Sequence, residues 1–474
     1  MHADSPTRAR LAPGVAAGHP ATAATGIDVL EAGGNAVDVA VAMMLTSCVA
    51  ETVYTGLGGG GFATVYDAAS GEVACVDFFV AIPGLSGRPP GPTVPVTIRF
   101  GGQLLPYAIG AASAAVPGVP RGAAHLHERW GSLSWDAVCR PAIEAARHGV
   151  VLTREHKLTL DSIWPCMGMG FGDRVHRRPD GAIVTAGDTL RIPNLWKALE
   201  RLRVDGPDAF YSGDVAHAML HAFGRDGAID PEDLAAYRVL DTVPRVSEVR
   251  GGRVHARGDD LDDLLGTLER LEASGSAGEA WSTPRAATAL VGALRAGALR
   301  TETTNLVACD TDGNVCVITT SLGLGAGVWV PEYGLHPNSM LGEGELIRPG
   351  ALPGSRMGSM MSPLIITDDD GPVLAAGAAG GSRIRSSLAQ VLLGVLAGGR
   401  PVQEAISAPR LNPVDDLVRI EPGFAHEVIA ELRAAGERLV VSEMRHPYFG
   451  GVSAISRTGA GADPRRGGVA VTLT

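Results

Sequence analysis

Two threonines stand side by side at positions 303 and 304, just before a run that reads as strand, turn and strand: TETTNLVACDTDGNVCVITTSLG, residues 301–323. The β-branched stretches 306–309 and 315–321 flank Asp312-Gly313, a dipeptide that favours a tight hairpin turn. Threonine at a strand start is ordinarily a β-former and no more. It is also a hydroxyl that becomes a nucleophile when a base stands beside it. Gly380-Gly381-Ser382-Arg383 follows an apolar strand pattern and precedes a helix pattern. Backbone amides in such a turn can hold a developing oxyanion, although a plain strand-to-helix turn reads the same way. The run 56–61 is glycine-rich but lacks the Gly-Lys-Ser/Thr of a phosphate loop and does not open a helix. Close backbone approach is its better reading. His217 and His221 share a helix face, with no following Glu and no third ligand, so a solvated face is expected and no metal site. His125 and His127, two apart, point away from each other. There is no GxSxG, and Ser355, Ser359 and Ser362 lie in a polar, methionine-rich loop.

The elements that must position these residues follow from pattern. Residues 21–50 read as two helices split by Gly33-Gly34-Asn35, and 61–66 and 73–78 as strands. Residues 84–106 are Pro/Gly-rich and read as a loop. Helical periodicity covers 119–148 with a break at Gly131, then 193–203 and 214–223. Asp230-Pro231 is a helix start, with an N-cap Asp and Pro at the first turn. Residues 258–300 read as helical with a break at 274–278. After 301 the pattern turns strand-rich: 304–309, 315–321, 363–367, 373–377, 438–443, 452–456 and 468–473, with helices at 384–398 and 425–435. Antiparallel sheet layers with helices packed outside are expected.

Bulk properties narrow the partners. The chain has 474 residues, 45% hydrophobic, and a formal net charge of -11 without a block of like charge. That excludes a nucleic-acid partner and a basic membrane-binding face. The longest mostly apolar stretch, 39–50, is too short to span a bilayer. The first twenty residues carry no apolar core after their basic residues, so no secretory signal is read there and a soluble, cytoplasmic protein is expected. The six cysteines form no CxxC pair and are expected as reduced core residues. Nothing calls for a cofactor.

Several segments in order resemble the γ-glutamyltranspeptidase family of N-terminal nucleophile hydrolases. They are GIDVLEAGGNAVDVAVAMML (26–45), ETVYTGLGGGGFATVYD (51–67), PAIEAARHGV (141–150), GPDAFYSGDVA (206–216), IDPEDLAAYRV (229–239), TTNLVACDTDGNVCVITTSLG (303–323), SMMSPLI (359–365), GAAGGSRI (377–384) and AISAPRL (405–411). The resemblance covers nearly the whole chain. It implies an α+β fold, a four-layer αββα sandwich, formed by one domain over 1–474. It implies self-cleavage between Glu302 and Thr303, giving fragments 1–302 and 303–474 that stay together as a heterodimer. Thr303 is then the catalyst. A peptide nitrogen cannot act as its base, whereas a freed α-amine can, because its pKa of about 7.7–8.0 is close to working pH. By resemblance, Gly380 and Gly381 form the oxyanion site, and Thr304 and Ser321 orient Thr303.

The departures concern substrate. Phe79 stands where the family carries an arginine that binds the glutamyl carboxylate, and an apolar ring cannot make that bidentate contact. Gly323 replaces an asparagine, Asn305 a histidine, and Leu341-Gly342 the paired aspartates that hold the substrate amine. Phe79, Gly323, Asn338, Ser359 and Met360 are the expected substrate-facing positions. The expected substrate is a small-molecule amide or an amino-acid-derived compound other than glutathione. Two alternatives stand beside this: a biosynthetic relative that breaks a carbon–carbon bond of an antibiotic precursor, and an inactive relative that serves as a binding protein.

Overall fold

Helix Pro20–Glu31 starts where His19 accepts a bond from the Ala21 amide and proline fills the first turn. Helix Ala36–Ala50 starts at Asn35 with a reciprocal capping box to Asp38. Every residue of that second helix is buried, as its near-continuous apolar sequence requires. The computed structural model describes residues 9–258, 263–275, 283–295 and 303–473. Glu302 lies outside the described residues.

Two antiparallel sheets carry the fold. The larger has seven strands in the order 469–472, 14–17, 304–309, 315–321, 60–66, 73–78 and 240–242. The second has six: 459–462, 451–456, 371–379, 364–368, 252–256 and 245–249. Strands Thr304–Cys309 and Val315–Ser321 pack on Gly371–Ala379, and Ala36–Ala50 packs on the opposite face of both. Helix Arg383–Leu396 covers the far side of the six-stranded sheet. Alternation along the strands sorts side chains between the cores. Leu306, Ala308, Cys316 and Ile318 join the core under the helices. Val307, Cys309, Val315 and Val317 meet Ile365, Ala375 and Ile455 between the sheets. Leu364, Ile366, Leu374 and Ala376 face away, toward Leu388 and Leu392 of the covering helix. With both faces buried, the strands read as apolar runs rather than clean alternation.

The expected hairpin turns at Gly313, whose φ is 94°, between strands that pair from Thr304↔Thr320 to Cys309↔Val315. The glycine run works by close approach. A Cβ on Gly59 would strike the Ser321 carbonyl, and one on Gly58 would sit 2.6 Å from the His336 carbonyl. All six cysteines are free and buried.

One expectation needs correction. Residues 84–106 are not all loop: Val94–Phe100 and Gln103–Ile109 form a hairpin. Its two-residue turn is Gly101-Gly102, both at positive φ (56° and 79°), which only glycine adopts at little cost. The surrounding proline-rich composition hid that signal.

Candidate active site around Thr303

Thr303 immediately precedes a strand of the larger sheet. The register Thr304↔Thr320 sets it across from Ser321, which in turn pairs with Gly60. Its side chain is fully buried, and its Oγ1 has no hydrogen-bond partner among the described residues. It lines a cavity of about 10 Å³ together with Glu51, Thr304, Ala379, Asp463 and Arg466. That is room for about one water.

Glu51 ends the apolar helix Ala36–Ala50 and is 1% exposed. Thr304 Oγ1 donates to Glu51 Oε2, and Thr22 Oγ1 donates to Oε1 at 2.8 Å. Gly18 is glycine for a local reason: a Cβ there would lie 2.5 Å from Glu51 Oε2. Burial pushes the Glu51 carboxyl up to about 7, although the two threonine hydroxyls and the Arg466 charge pull the other way. The Arg466 guanidinium lies 4.1 Å over the Tyr54 ring. His156 meets Tyr54 edge-on at 5.0 Å, and burial, then His19 and Arg466, hold it neutral with a pKa down near 3.

Gly380 and Gly381 follow the strand that ends at Ala379, on the cavity wall. Both have positive φ, 124° and 58°. Their carbonyls accept the Arg383 and Ile384 amides at 3.1 and 2.9 Å, which opens the covering helix. A Cβ on Gly380 would lie 3.4 Å from Arg466 Nη2, so the turn abuts the guanidinium beside Thr303.

The structure thus brings Thr303, Thr304, Ser321 and the Gly380-Gly381 turn into one neighbourhood. Ser321 Oγ accepts the Gly323 amide at 3.0 Å, and Gly323 adopts φ 64° against Ser339 and Glu343. The other expected substrate positions lie deeper in packing. Phe79 is 1% exposed and stacks on Phe62, ring centroids 5.2 Å apart. Arg257 covers the opposite partner of that stack, 3.5 Å from the Phe62 centroid, and donates to the Met361 carbonyl at 2.7 Å. Ser359 Oγ accepts the Met361 amide, and Met360 is a core residue. The Asn338 amide donates to the Gly58 and Ala115 carbonyls and accepts the Ala115 and Met340 amides. Those four bonds fill its capacity and give it a structural use, stitching three loops together.

Glu51, Asp463, Arg466 and Arg257 escaped the sequence reading. Glu51 left one signal, a lone charge closing a dozen mostly apolar residues. The others left none, since only the fold brings the C-terminal turn to Thr303.

Comparison with known proteins bears on this arrangement. Among solved structures, the cephalosporin acylase of Bacillus halodurans superposes with a TM-score of 0.76 over 100% of this chain and 99% of its own, at 22% identity. That likeness defines the class by fold, a mixed α+β architecture. The glutathione hydrolase proenzyme of Bacillus subtilis (strain 168) is 26% identical, covering 94% of this chain and 90% of its own. The acylase ACY 1 proenzyme of Pseudomonas sp. (strain SE83) is 26% identical, covering 93% and 89%. A sequence model of the γ-glutamyltranspeptidase family matches residues 22–261 and 269–473. The chain belongs to the γ-glutamyltranspeptidase family of hydrolases and acyltransferases.

Proposed function

We propose that this chain is a precursor that cuts its own backbone between Glu302 and Thr303, and that Thr303 then serves as an N-terminal nucleophile. The observation that carries this reading is the buried Thr303 hydroxyl, without a partner among the described residues, in a water-sized cavity between a carboxylate and a guanidinium. A native interior rarely leaves a polar atom orphaned without a chemical reason. The word proenzyme in the names of two relatives supports the cut.

After the cut, the Thr303 α-amine takes the hydroxyl proton as Oγ1 attacks a substrate carbonyl. The amides of the Gly380-Gly381 turn stabilise the oxyanion, and Ser321 and Thr304 orient the amine end. Collapse leaves an acyl ester on Thr303, and water or an acceptor amine removes it. Residues 1–302 and 303–474 remain one domain. The packing order helix, sheet, sheet, helix supports reading it as a four-layer αββα sandwich.

The substrate is a small-molecule amide or amino-acid-derived compound without a glutamyl head. Phe79 is sealed against Phe62, and Leu341-Gly342 offers no carboxylate to an ammonium group. The acylase relative supports an acyl amide. Intact masses of wild type and Thr303→Ala test the cut: two fragments from wild type alone are expected, and one uncut chain in both would sink the reading. A panel of γ-glutamyl, aliphatic acyl and aromatic acyl anilides then tests the substrate. Fastest turnover of the γ-glutamyl member would overturn the non-glutamyl assignment.

A further inference from the structure

The cavity holds a second group that the transfer reaction does not use. Once Thr303 has a free amine, its base is on the same residue. Before the cut its nitrogen is an amide, so the first attack needs a base from elsewhere. Among the described residues lining the cavity, the carboxylates are Glu51 and Asp463. Asp463 is engaged by Arg410 Nη2 at 2.6 Å, Arg465 Nη1 at 3.1 Å and the Val452 amide at 3.0 Å. Glu51 accepts one hydroxyl on each oxygen, which leaves a lone pair on each. The orphaned Thr303 hydroxyl shares with it a space that fits one water.

We infer that Glu51 is the proton acceptor of the self-cleavage step, reached from Thr303 through one water in this cavity. The inference rests on the Thr303 reading above. Thr303 Oγ1 forms a bond to the carbonyl carbon of residue 302 while its proton passes through the water to the Glu51 carboxylate. The carbon–nitrogen bond then breaks, and the same proton returns to the Thr303 nitrogen, which becomes the α-amine. Water hydrolyses the resulting ester, giving the carboxylate of residue 302 and restoring the Thr303 hydroxyl. Glu51 ends as it began. Thr304, through its bond to Oε2, is a positioning residue for the carboxylate.

The groups facing Glu51 make its titration readable. Arg466 is a permanent cation, and Arg410 and Arg465 help hold Asp463 ionised despite burial. Burial holds His156 neutral with a pKa near 3, lowers that of the His19 imidazole and pushes the Cys48 thiol up. Among the described groups with a resolved value beside Thr303, Glu51 is the one placed near neutral pH.

The test is an intact-mass time course of the full chain from pH 5 to 9, for wild type, Glu51→Gln, Glu51→Asp and Thr303→Ala. Wild-type cleavage should rise about tenfold per pH unit and level off above about pH 7. Glu51→Gln keeps the hydrogen-bond acceptor but cannot take the proton. It should cleave about 100-fold more slowly, with a flat pH profile. Glu51→Asp should recover part of the rate and its slope. Glu51→Gln cleaving at the wild-type rate with the wild-type profile would overturn the inference and leave the Thr303 reading intact, provided Thr303→Ala stays whole. A wild-type chain that never cleaves overturns both. If circular dichroism shows Glu51→Gln unfolded, the wild-type profile decides alone, and a flat one is fatal.

Discussion

Two buried polar clusters meet at the turn formed by residues 463–466, and they are built differently. On one side, Arg410, Glu421, Asp463 and Arg465 have side chains no more than 2% exposed. Arg465 places its N–H groups on Glu421, Asp463 and the Ile406 and Ala408 carbonyls, using all five. On the other side, Glu51 holds two hydroxyls, Thr303 finds no partner among the described residues, and space remains for a water. The first cluster fastens the loop after strand Gly459–Ala462. The second keeps its polar groups under-committed at the head of a central strand. Equal burial therefore says little about role. The number of bonds each group still lacks says more.

Substitutions can break that contrast. The largest effect should come from Thr303→Ala, which is expected to lower turnover by about 1,000-fold or more in an acyl-transfer assay while leaving the melting temperature unchanged or raised. A fall in stability would mean that the hydroxyl is a scaffold group after all. Asp463→Ala should do the reverse in kind. It leaves two buried guanidinium groups short of a counter-charge, and urea titration should show a loss of about 3–5 kcal/mol.

Acidity sharpens the comparison. Glu51 holds its proton up to about pH 7 in the fold, against 4.5 for the free group. The folded chain therefore binds the extra proton between those values, and stability falls as pH rises through that window, by up to about 3 kcal/mol, then levels off. Glu51→Gln should flatten this slope in denaturant titrations at pH 4.5 and 7.5. Asp463 titrates the other way, its carboxyl held below the usual range because Arg410, Arg465 and two amide bonds outweigh burial. Thr304→Val should cost about 1–3 kcal/mol by removing a donor from buried Glu51. The exposed pair Arg177–Asp173 is the control, and Arg177→Ala should cost no more than about 1 kcal/mol by the same titration.

Much of this was legible in the sequence where the cause is local. The Asp312-Gly313 turn, the capping residue Asp230 and the glycine run each act within a few residues, so pattern finds them. The hairpin at Gly101-Gly102 is just as local, but proline-rich surroundings masked it. Phe79 could be seen as a departure, yet its contact with Phe62 and the covering Arg257 could not. The Glu51, Thr303 and Arg466 neighbourhood joins three distant stretches through two sheets, and no periodicity encodes such a meeting. Its one trace was a charge at the end of an apolar helix.

The strand order has a consequence for the life of the molecule. Strand Gly14–Ala17 lies between 469–472 and 304–309, and the 304–309 and 315–321 hairpin lies between it and 60–66. Chain from before and after the Glu302–Thr303 bond is thus woven into one sheet, strand beside strand. While the chain is whole, that weave can form by a first-order search, since both yarns share one thread. If the proposed cut is made, rebuilding it becomes a meeting of two solutes, slowed by dilution and exposed to aggregation. The molecule would be assembled once, from a single translation product, and its mature form would persist by the slowness of its unravelling.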